Sequence, residues 1–174
     1  MNTETGPVKA PEARLDEWTA LYGDAVLRTC FMYLSDRALA EDATQDTFIK
    51  VWRGVVRFEG RNDSSIKTWI LRIAINTCKD YHRTAWFRHV DLSKALENLP
   101  PAIRDVTDES RTIFLDVMRL PLALKQVVLL YHFHDLTLAE TAQILHVSRS
   151  AIQHRLRKAY ALLRSEPERS GSNA

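Results

Sequence analysis

The chain has 174 residues, of which 45% are hydrophobic and 26% are charged, and its formal net charge is +2. This is the composition of a soluble globular protein, and the length suits one ordinary domain or two small ones. No apolar run reaches the roughly 20 residues of a membrane-spanning helix, and the polar N-terminus lacks the apolar core of a signal peptide. We therefore expect a cytoplasmic protein without direct membrane insertion.

Helical periodicity runs through the chain without strand alternation, so we expect an all-α fold. The predicted elements, in chain order, are a flexible tail over 1–11, helices over 11–34, 36–56 and 65–87, a linker over 91–111, a fourth helix from about residue 111 that is interrupted at Pro121, and a closing helix pair over 136–164. Cys30 and Cys78 belong to no CxxC motif, and we expect two buried, reduced thiols. Cys78 and His82 lack a third ligand, so we expect no metal and no cofactor.

Charge is distributed unevenly along the chain. Residues 64–90 hold five Lys and Arg against one acidic residue, and residues 137–164 again hold five against one. Between these segments, residues 91–112 hold five acidic residues against three basic ones. Two separate basic segments are therefore available to meet a polyanion, with an acidic linker between them.

The second predicted helix has a core stripe and an opposite polar face. The stripe follows the helical period through Ala40, Thr44, Thr47, Phe48, Val51 and Val55. The polar face consists of Asp42, Gln45, Asp46, Ile49 and Arg53. A solvated charged face explains this spacing but does not explain an isoleucine at its centre. Docking onto a basic protein surface would explain both.

The third predicted helix also divides into two stripes. One is apolar and consists of Ile66, Ile70, Ile73, Ala74, Thr77 and Tyr81. The other is basic, consists of Arg72, Asn76, Lys79 and Arg83, and is flanked by Trp69 and Trp86. Basic side chains neutralise phosphates and aromatic rings stack on unpaired bases, which favours single-stranded nucleic acid as a ligand. A solvated face with tryptophans in the core is an equally good interpretation.

The closing helix pair has the features of a helix-turn-helix unit. Thr137 and Glu140 predict a capping box, His146 stands where a left-handed turn residue is expected, and Ser148 is placed to cap the last helix. Arg149 lies at the N-terminal end of that helix, where a recognition helix meets base edges. Arg155 and Lys158 are better placed to hold phosphates.

Together these residues resemble the extracytoplasmic-function (ECF) branch of bacterial RNA polymerase sigma factors. "AEDATQDTFIKVWR" at 40–53 is similar to the polymerase-binding helix of that family, "KTWILRIAINTCKDYHR" at 67–83 to its promoter-melting helix, and residues 120–164 to its C-terminal helix-turn-helix domain. The resemblance implies two small helical domains joined by a flexible linker. The expected bounds are 12–90 for sigma domain two, 91–111 for the linker and 112–166 for sigma domain four, with tails over 1–11 and 167–174.

The resemblance also implies a role for each candidate residue. The largest subunits of core RNA polymerase would be bound by Asp42, Gln45, Asp46, Ile49, Lys50 and Arg53. The −10 promoter element would be contacted, and its melted strand captured, by Arg61, Asn62, Ser65, Trp69, Arg72, Asn76, Lys79, Asp80 and Arg83. The −35 element would be read as duplex DNA by Arg149, Ser150, Gln153, His154, Arg155, Arg157 and Lys158. An anti-sigma factor is a further implied partner, and such a partner would be able to hold the protein at the inner membrane face.

Some positions depart from the family pattern, and other functions stay open at this point. The segment 60–69 is about two residues longer than is usual, Ile66 stands where an aromatic residue is common, and His146 replaces a turn glycine. A stand-alone regulator binding duplex operator DNA would explain residues 136–164, but it leaves the polar faces of the second and third helices without a role. A purely structural helical adaptor would contact no DNA. An enzyme is disfavoured because the sequence has no nucleophile–base or metal-ligand pattern.

Overall fold

The structure is a computed structural model that describes residues 10–58, 65–83, 97–101 and 108–165. Within these ranges every regular element is helical, which confirms the all-α prediction. The helices are α1 (Pro11–Leu34), α2 (Arg37–Val55), α3 (Ile66–Arg83), α4 (Asp108–Arg119), α5 (Leu122–Val128), α6 (Leu138–Leu145) and α7 (Arg149–Ser165). A π-helical turn, Leu129–Phe133, continues α5. No helix in the described ranges is long and apolar enough to cross a membrane.

The turn between α1 and α2 is tight because Ser35 and Asp36 each form a hydrogen bond with a backbone group at the end of a helix. Ser35 adopts a left-handed conformation with φ of 55°, and its N–H donates to the Phe31 carbonyl at 2.8 Å. Asp36 then caps α2, since its Oδ1 accepts from the Leu39 N–H at 2.9 Å. A cap of this kind stabilises a helix by about 1 kcal/mol. The two helices therefore turn back on each other and pack along much of their length.

Helices α1, α2 and α3 pack together as the N-terminal half of the molecule. An aromatic cluster closes one end, where the ring of Trp69 stacks on Phe58 at 4.6 Å and meets Trp18 edge to face at 6.0 Å. Gly54 of α2 lies beneath this cluster, and a Cβ added there would stand 2.8 Å from Cζ2 of Trp69. Cys30 and Cys78 are buried and unbridged, as predicted, and a hydrogen bond between the two thiols together with burial raises the pKa of Cys78.

The C-terminal half contains the predicted helix-turn-helix unit. Thr137 and Glu140 form the predicted capping box at the start of α6. His146 has φ of 55° and ends α6 in the left-handed conformation, and Ser148 Oγ accepts from the Ala151 N–H at 3.2 Å. Lys125 of α5 lies in the core of this half, where its Nζ donates to the Met118 carbonyl at 3.1 Å. Burial lowers the pKa of Lys125 to about 8.

The two halves pack against each other and share one hydrophobic core. Phe31 of α1 stacks on Phe114 of α4, with ring centroids 6.5 Å apart. Polar contacts also cross between the halves, from Thr29 to His134 and from Thr68 to Glu140. The sequence predicted two units, but it contained no information on whether they are separate or in contact.

Two of the sequence predictions need correction, and others lie wholly or partly outside the described residues. The fourth helix begins at Asp108, three residues before the predicted start. The buried side of α3 is broader than the predicted stripe, and it adds Thr68, Leu71, Ile75 and Cys78 while Ile66, Ile73 and Tyr81 are only half-buried. The reason is that α3 packs against α6 of the other half as well as against α1 and α2. The predicted extension of α3 to residue 87, most of the linker, the C-terminal tail and the N-terminal tail up to residue 9 fall outside the described ranges.

Candidate functional site

The polar face of α2 turns outward. Asp42, Gln45 and Arg53 are exposed, and Ile49 between them exposes 47% of its surface. An isoleucine is usually among the most buried residue types, so its exposure within a polar helix face marks a surface suited to a protein partner. The arrangement has a charged rim around an apolar centre.

Asp46, which the helical spacing placed on this face, and Lys50, which the family resemblance added to it, both contact α3. The Tyr81 hydroxyl donates to Asp46 Oδ2 at 2.7 Å, and Lys50 Nζ donates to Thr77 Oγ1 at 3.0 Å. Burial, followed by the contact with Asp46, raises the pKa of Tyr81. Both side chains therefore tie α2 to α3 as well as bordering the exposed face.

An apolar hollow extends the outward face of α2 onto α1. It has a volume of about 460 Å³, and its lining residues are Glu12, Leu15, Asp16, Phe48, Ile49 and Trp52. Trp52 exposes 38% of its surface and was missed by the sequence reasoning, although it stands three residues after Ile49 and so shares its side of the helix. Glu12 and Asp16 add negative charge at the rim. The surface would therefore suit a partner that offers apolar side chains flanked by basic ones.

The C-terminal part of α3 presents the second candidate surface. Asn76, Asp80 and Arg83 are exposed and Lys79 is half-buried. With Tyr33 and His82 they line a groove of about 470 Å³. Asp80 forms ion pairs with Arg83 and, at 3.5 Å, with Lys50 of α2. Tyr33, whose pKa burial raises to about 12, and His82 form a wall that the sequence did not reveal, because Tyr33 comes from α1.

Of the other residues predicted for this surface, two take part in the packing or capping of the fold and one is partly buried. Ser65 accepts from the Thr68 N–H at 3.1 Å and so caps α3, while Trp69 belongs to the aromatic cluster. The Nε and Nη2 atoms of Arg72 are buried, and within the described chain they meet no hydrogen-bond acceptor. In this arrangement those two nitrogens are shielded from a phosphate. Arg61 and Asn62 lie outside the described residues.

The third candidate surface is the outward side of α7. Six of its predicted residues are exposed and Arg155 is half-buried; the exposed ones are Arg149, Ser150, Gln153, His154, Arg157 and Lys158. The opposite side buries Ile152, Leu156 and Ala159. Among the described residues none of the basic side chains of α7 takes part in an ion pair. Six of these seven side chains therefore face solvent, and within the described residues their charges have no ion-pair partner.

Comparison with known proteins identifies the family. Residues 19–88 match the model of sigma-70 region 2, and residues 117–163 match that of sigma-70 region 4. The RNA polymerase sigma-E factor of Streptomyces avermitilis is 31% identical over 160 residues, which cover 88% of this chain and 84% of that protein. The ECF RNA polymerase sigma factor SigM of Mycobacterium tuberculosis is 30% identical over 127 residues, which cover 71% and 62% of the two chains.

The chain belongs to the ECF sigma factors. Its fold also agrees with that of the sigma factor RpoE of Bartonella quintana, solved in complex with the anti-sigma factor NepR. The TM-score is 0.68 at 19% identity, and the match covers 87% of this chain and 94% of that one. In the present chain the region 2 match contains both α2 and α3, and the region 4 match contains all of α6 and all but the last two residues of α7.

Proposed function

We propose that the outward face of α2 is where this sigma factor docks onto core RNA polymerase. The observation that carries this assignment is the exposed Ile49, surrounded by Asp42, Gln45 and Arg53. Asp46 and Lys50 would contribute from the border of the face. The neighbouring hollow with Trp52 would enlarge the contact with apolar area that the free protein leaves open to water.

The groove on α3 would bind the −10 promoter element. Asn76 and Asp80 offer hydrogen-bonding groups there, while Lys79 and Arg83 offer positive charge for the DNA backbone. No covalent chemistry is needed for strand separation in this proposal. A base that leaves the duplex gains contacts with the protein, and these contacts offset the few kcal/mol that unstacking costs.

The exposed side of α7 would read the −35 element in the major groove. Arg149 stands at the N-terminal end of the helix, where an arginine can form two hydrogen bonds to a guanine, and Gln153 can do the same with an adenine. Arg157 and Lys158 are exposed cations that would hold the DNA backbone. Ser150, His154 and Arg155 complete the proposed set.

The proposed function also implies a cellular location and a further partner. Because core polymerase works in the cytoplasm, we propose a cytoplasmic protein that acts as a binding factor and not as an enzyme. The structure of Bartonella quintana RpoE contains the anti-sigma factor NepR. We propose an anti-sigma partner for this chain as well, and one anchored in the membrane would keep the protein at the inner membrane face.

In vitro transcription with purified bacterial core polymerase and a library of promoters tests the proposed function. Adding this protein should create new transcription start sites that core polymerase alone does not use. If start-site choice never changes, the proposed function is wrong. A stand-alone operator-binding regulator would instead protect duplex DNA by itself at low protein concentration.

Two variants with matched controls test the residue assignments. Asp42→Arg should abolish co-purification with core polymerase, whereas Asp24→Arg, a charge reversal on an exposed residue of α1, should not. Asp42 is chosen over Asp46 because Asp46 also accepts a hydrogen bond from Tyr81.

Arg149→Ala should relax the base preference at one −35 position at a cost of about 1–3 kcal/mol, and Arg164→Ala at the far end of α7 should not. An equal loss on every −35 sequence would mark Arg149 as a phosphate contact.

A further inference from the structure

Two hydrogen bonds with matching spacing join α2 to α3. The Tyr81 hydroxyl donates to Asp46 Oδ2 at 2.7 Å, and Lys50 Nζ donates to Thr77 Oγ1 at 3.0 Å. The two partners on each helix are four residues apart, so the bonds lie one helical turn from each other along a single face of each helix. Because Thr77 is only 1% exposed, the Lys50 ammonium is attached to a rigid part of α3.

The same ammonium also reaches the groove on α3. Lys50 Nζ lies 3.5 Å from Asp80 Oδ2, and Arg83 pairs with the other oxygen of that carboxylate, Oδ1. Asp80 is the one acidic side chain among the described residues that line the groove. A cation therefore stands at each of its two oxygens, one from α2 and one from α3.

This arrangement suits a surface that meets DNA. A carboxylate alone would repel phosphates, but with Lys50 and Arg83 beside it the group of three side chains carries a net charge of about +1. The Arg83 side chain is 79% exposed. A long, exposed arginine loses conformational freedom when it binds a ligand, and a carboxylate that already holds its guanidinium reduces that loss.

We propose that Lys50 is a positioning residue for the −10 element: it fixes Asp80, and Asp80 holds Arg83 in the orientation in which Arg83 contacts DNA. In the proposed function Lys50 borders the polymerase-docking face of α2. The second role comes from its ammonium, which is directed at α3. This proposal rests on the proposed function, because it takes the groove on α3 as the site of the −10 element.

Removing the ammonium should weaken selection among −10 sequences. Lys50→Met keeps most of the aliphatic side chain, and it should lower the preference for the best −10 sequence over its single-base variants about threefold. The effect is modest because both partners of the ion pair are about half exposed. Lys50→Arg retains a cation that can reach Thr77 and Asp80, so it should restore the preference. The loss should be largest at low ionic strength, since salt screens exposed ion pairs.

Competitive in vitro transcription measures this preference. Two promoters that differ only in the −10 element compete in one reaction with core polymerase, at a concentration of this protein that saturates the polymerase. A docking defect lowers both products equally and cancels in their ratio, whereas a positioning defect changes the ratio. Arg37→Met removes an exposed cation that pairs with Glu41 within α2, and this control should leave the ratio unchanged.

Two further variants separate positioning from a general loosening of the helix pair. Tyr81→Phe removes the other hydrogen bond between α2 and α3 without touching Asp80, so it should keep the wild-type ratio. In an Asp80→Asn background, Lys50→Met should cause no further loss, because the two residues act through one contact.

Three results would overturn the positioning role: an unchanged ratio in Lys50→Met, an equal fall in Tyr81→Phe, or additive losses in the variant that combines Lys50→Met with Asp80→Asn. If the wild-type protein starts transcription irrespective of the −10 sequence, or not at all, the proposed function fails and the positioning role fails with it. If the wild-type protein selects −10 sequences and Lys50→Met selects them equally well, the positioning role alone is wrong.

Discussion

Acid should open the contact between the two halves through His134. Burial, with the positive charges of Lys67 and Arg28 adding to it, lowers the pKa of His134 from 6.5 to about 3. In an open chain, in which the two halves are apart, an exposed His134 binds a proton below pH 6.5. In the closed chain, in which the halves are in contact, it stays neutral. The stabilisation of the closed state is therefore present above pH 6.5 and is lost progressively as the pH falls towards 3.

The size of this effect follows from the two pKa values. At pH 5 the open chain gains about 2 kcal/mol relative to the closed chain, which changes their ratio about 30-fold. Glu140 does not offset this gain, since hydrogen bonds from Thr137 lower the pKa of Glu140 below its usual 4.5 and keep it ionised at pH 5. Distances between spin labels attached to exposed residues of the two halves, measured from pH 7.5 to pH 5, report the ratio of open to closed chains.

A matched pair of variants isolates His134 from the other histidines. His134→Gln keeps an N–H donor for Thr29 but does not titrate, so the 30-fold response to pH should disappear. His132→Gln, at an exposed neighbouring position that bonds Tyr160, should keep the response. The same pH response in wild type and His134→Gln, or no response in wild type, would refute the reasoning.

Two further predictions concern the cores of the halves. Gly54→Ala should lower the free energy of unfolding by about 1 kcal/mol, because the clash with the packed ring of Trp69 outweighs the gain in helix propensity. The control is Gly23→Ala, where the added Cβ meets nothing within 4 Å, and this variant should be neutral or stabilising. Thermal unfolding compares the two variants, and a stabilised Gly54→Ala would contradict the packing argument. Lys125→Met should stabilise the protein by about 2 kcal/mol at pH 7. Lowering the pKa of Lys125 from 10.5 to about 8 by burial costs about 3 kcal/mol, and the lost hydrogen bond to the Met118 carbonyl offsets about 1 kcal/mol of that gain. Denaturation at several pH values should find this gain shrinking between pH 8 and pH 10.5, and a gain independent of pH would exclude the charge as its cause.

Local features of the helix-turn-helix pair were predictable from the sequence because neighbouring residues determine them. The capping box needs only Thr137 and Glu140, three residues apart, and the turn needs only a residue that tolerates a positive φ at His146. The exposed side of α7 follows from the helical period once its buried stripe is recognised. These features are local, so periodicity and capping rules are sufficient to find them.

Long-range features were not predictable by the same rules. Thr29 and His134 are 105 residues apart, and no periodicity links a threonine on α1 to a histidine after α5. Trp69 illustrates the same limit, because a tryptophan beside a basic stripe suits both base stacking and core packing. Its stacking on Phe58 depends on the segment after α2 packing beside α3, which the sequence of α3 alone does not indicate. When a side chain can pack against either of two neighbouring elements, its packing partner cannot be predicted from the sequence of its own helix.

The distribution of exposed residues in the closed chain implies an order of events during promoter binding. Ile49 and Asp42 are accessible while the halves are in contact, whereas Arg72 at the other end of the proposed DNA surface has two buried nitrogens. If polymerase binds the proposed face of α2, it can therefore dock without first breaking the contact at His134. Binding energy gained at α2 would then offset the cost of breaking the bonds at His134, because a partner shifts an equilibrium only by its difference in affinity for the two states.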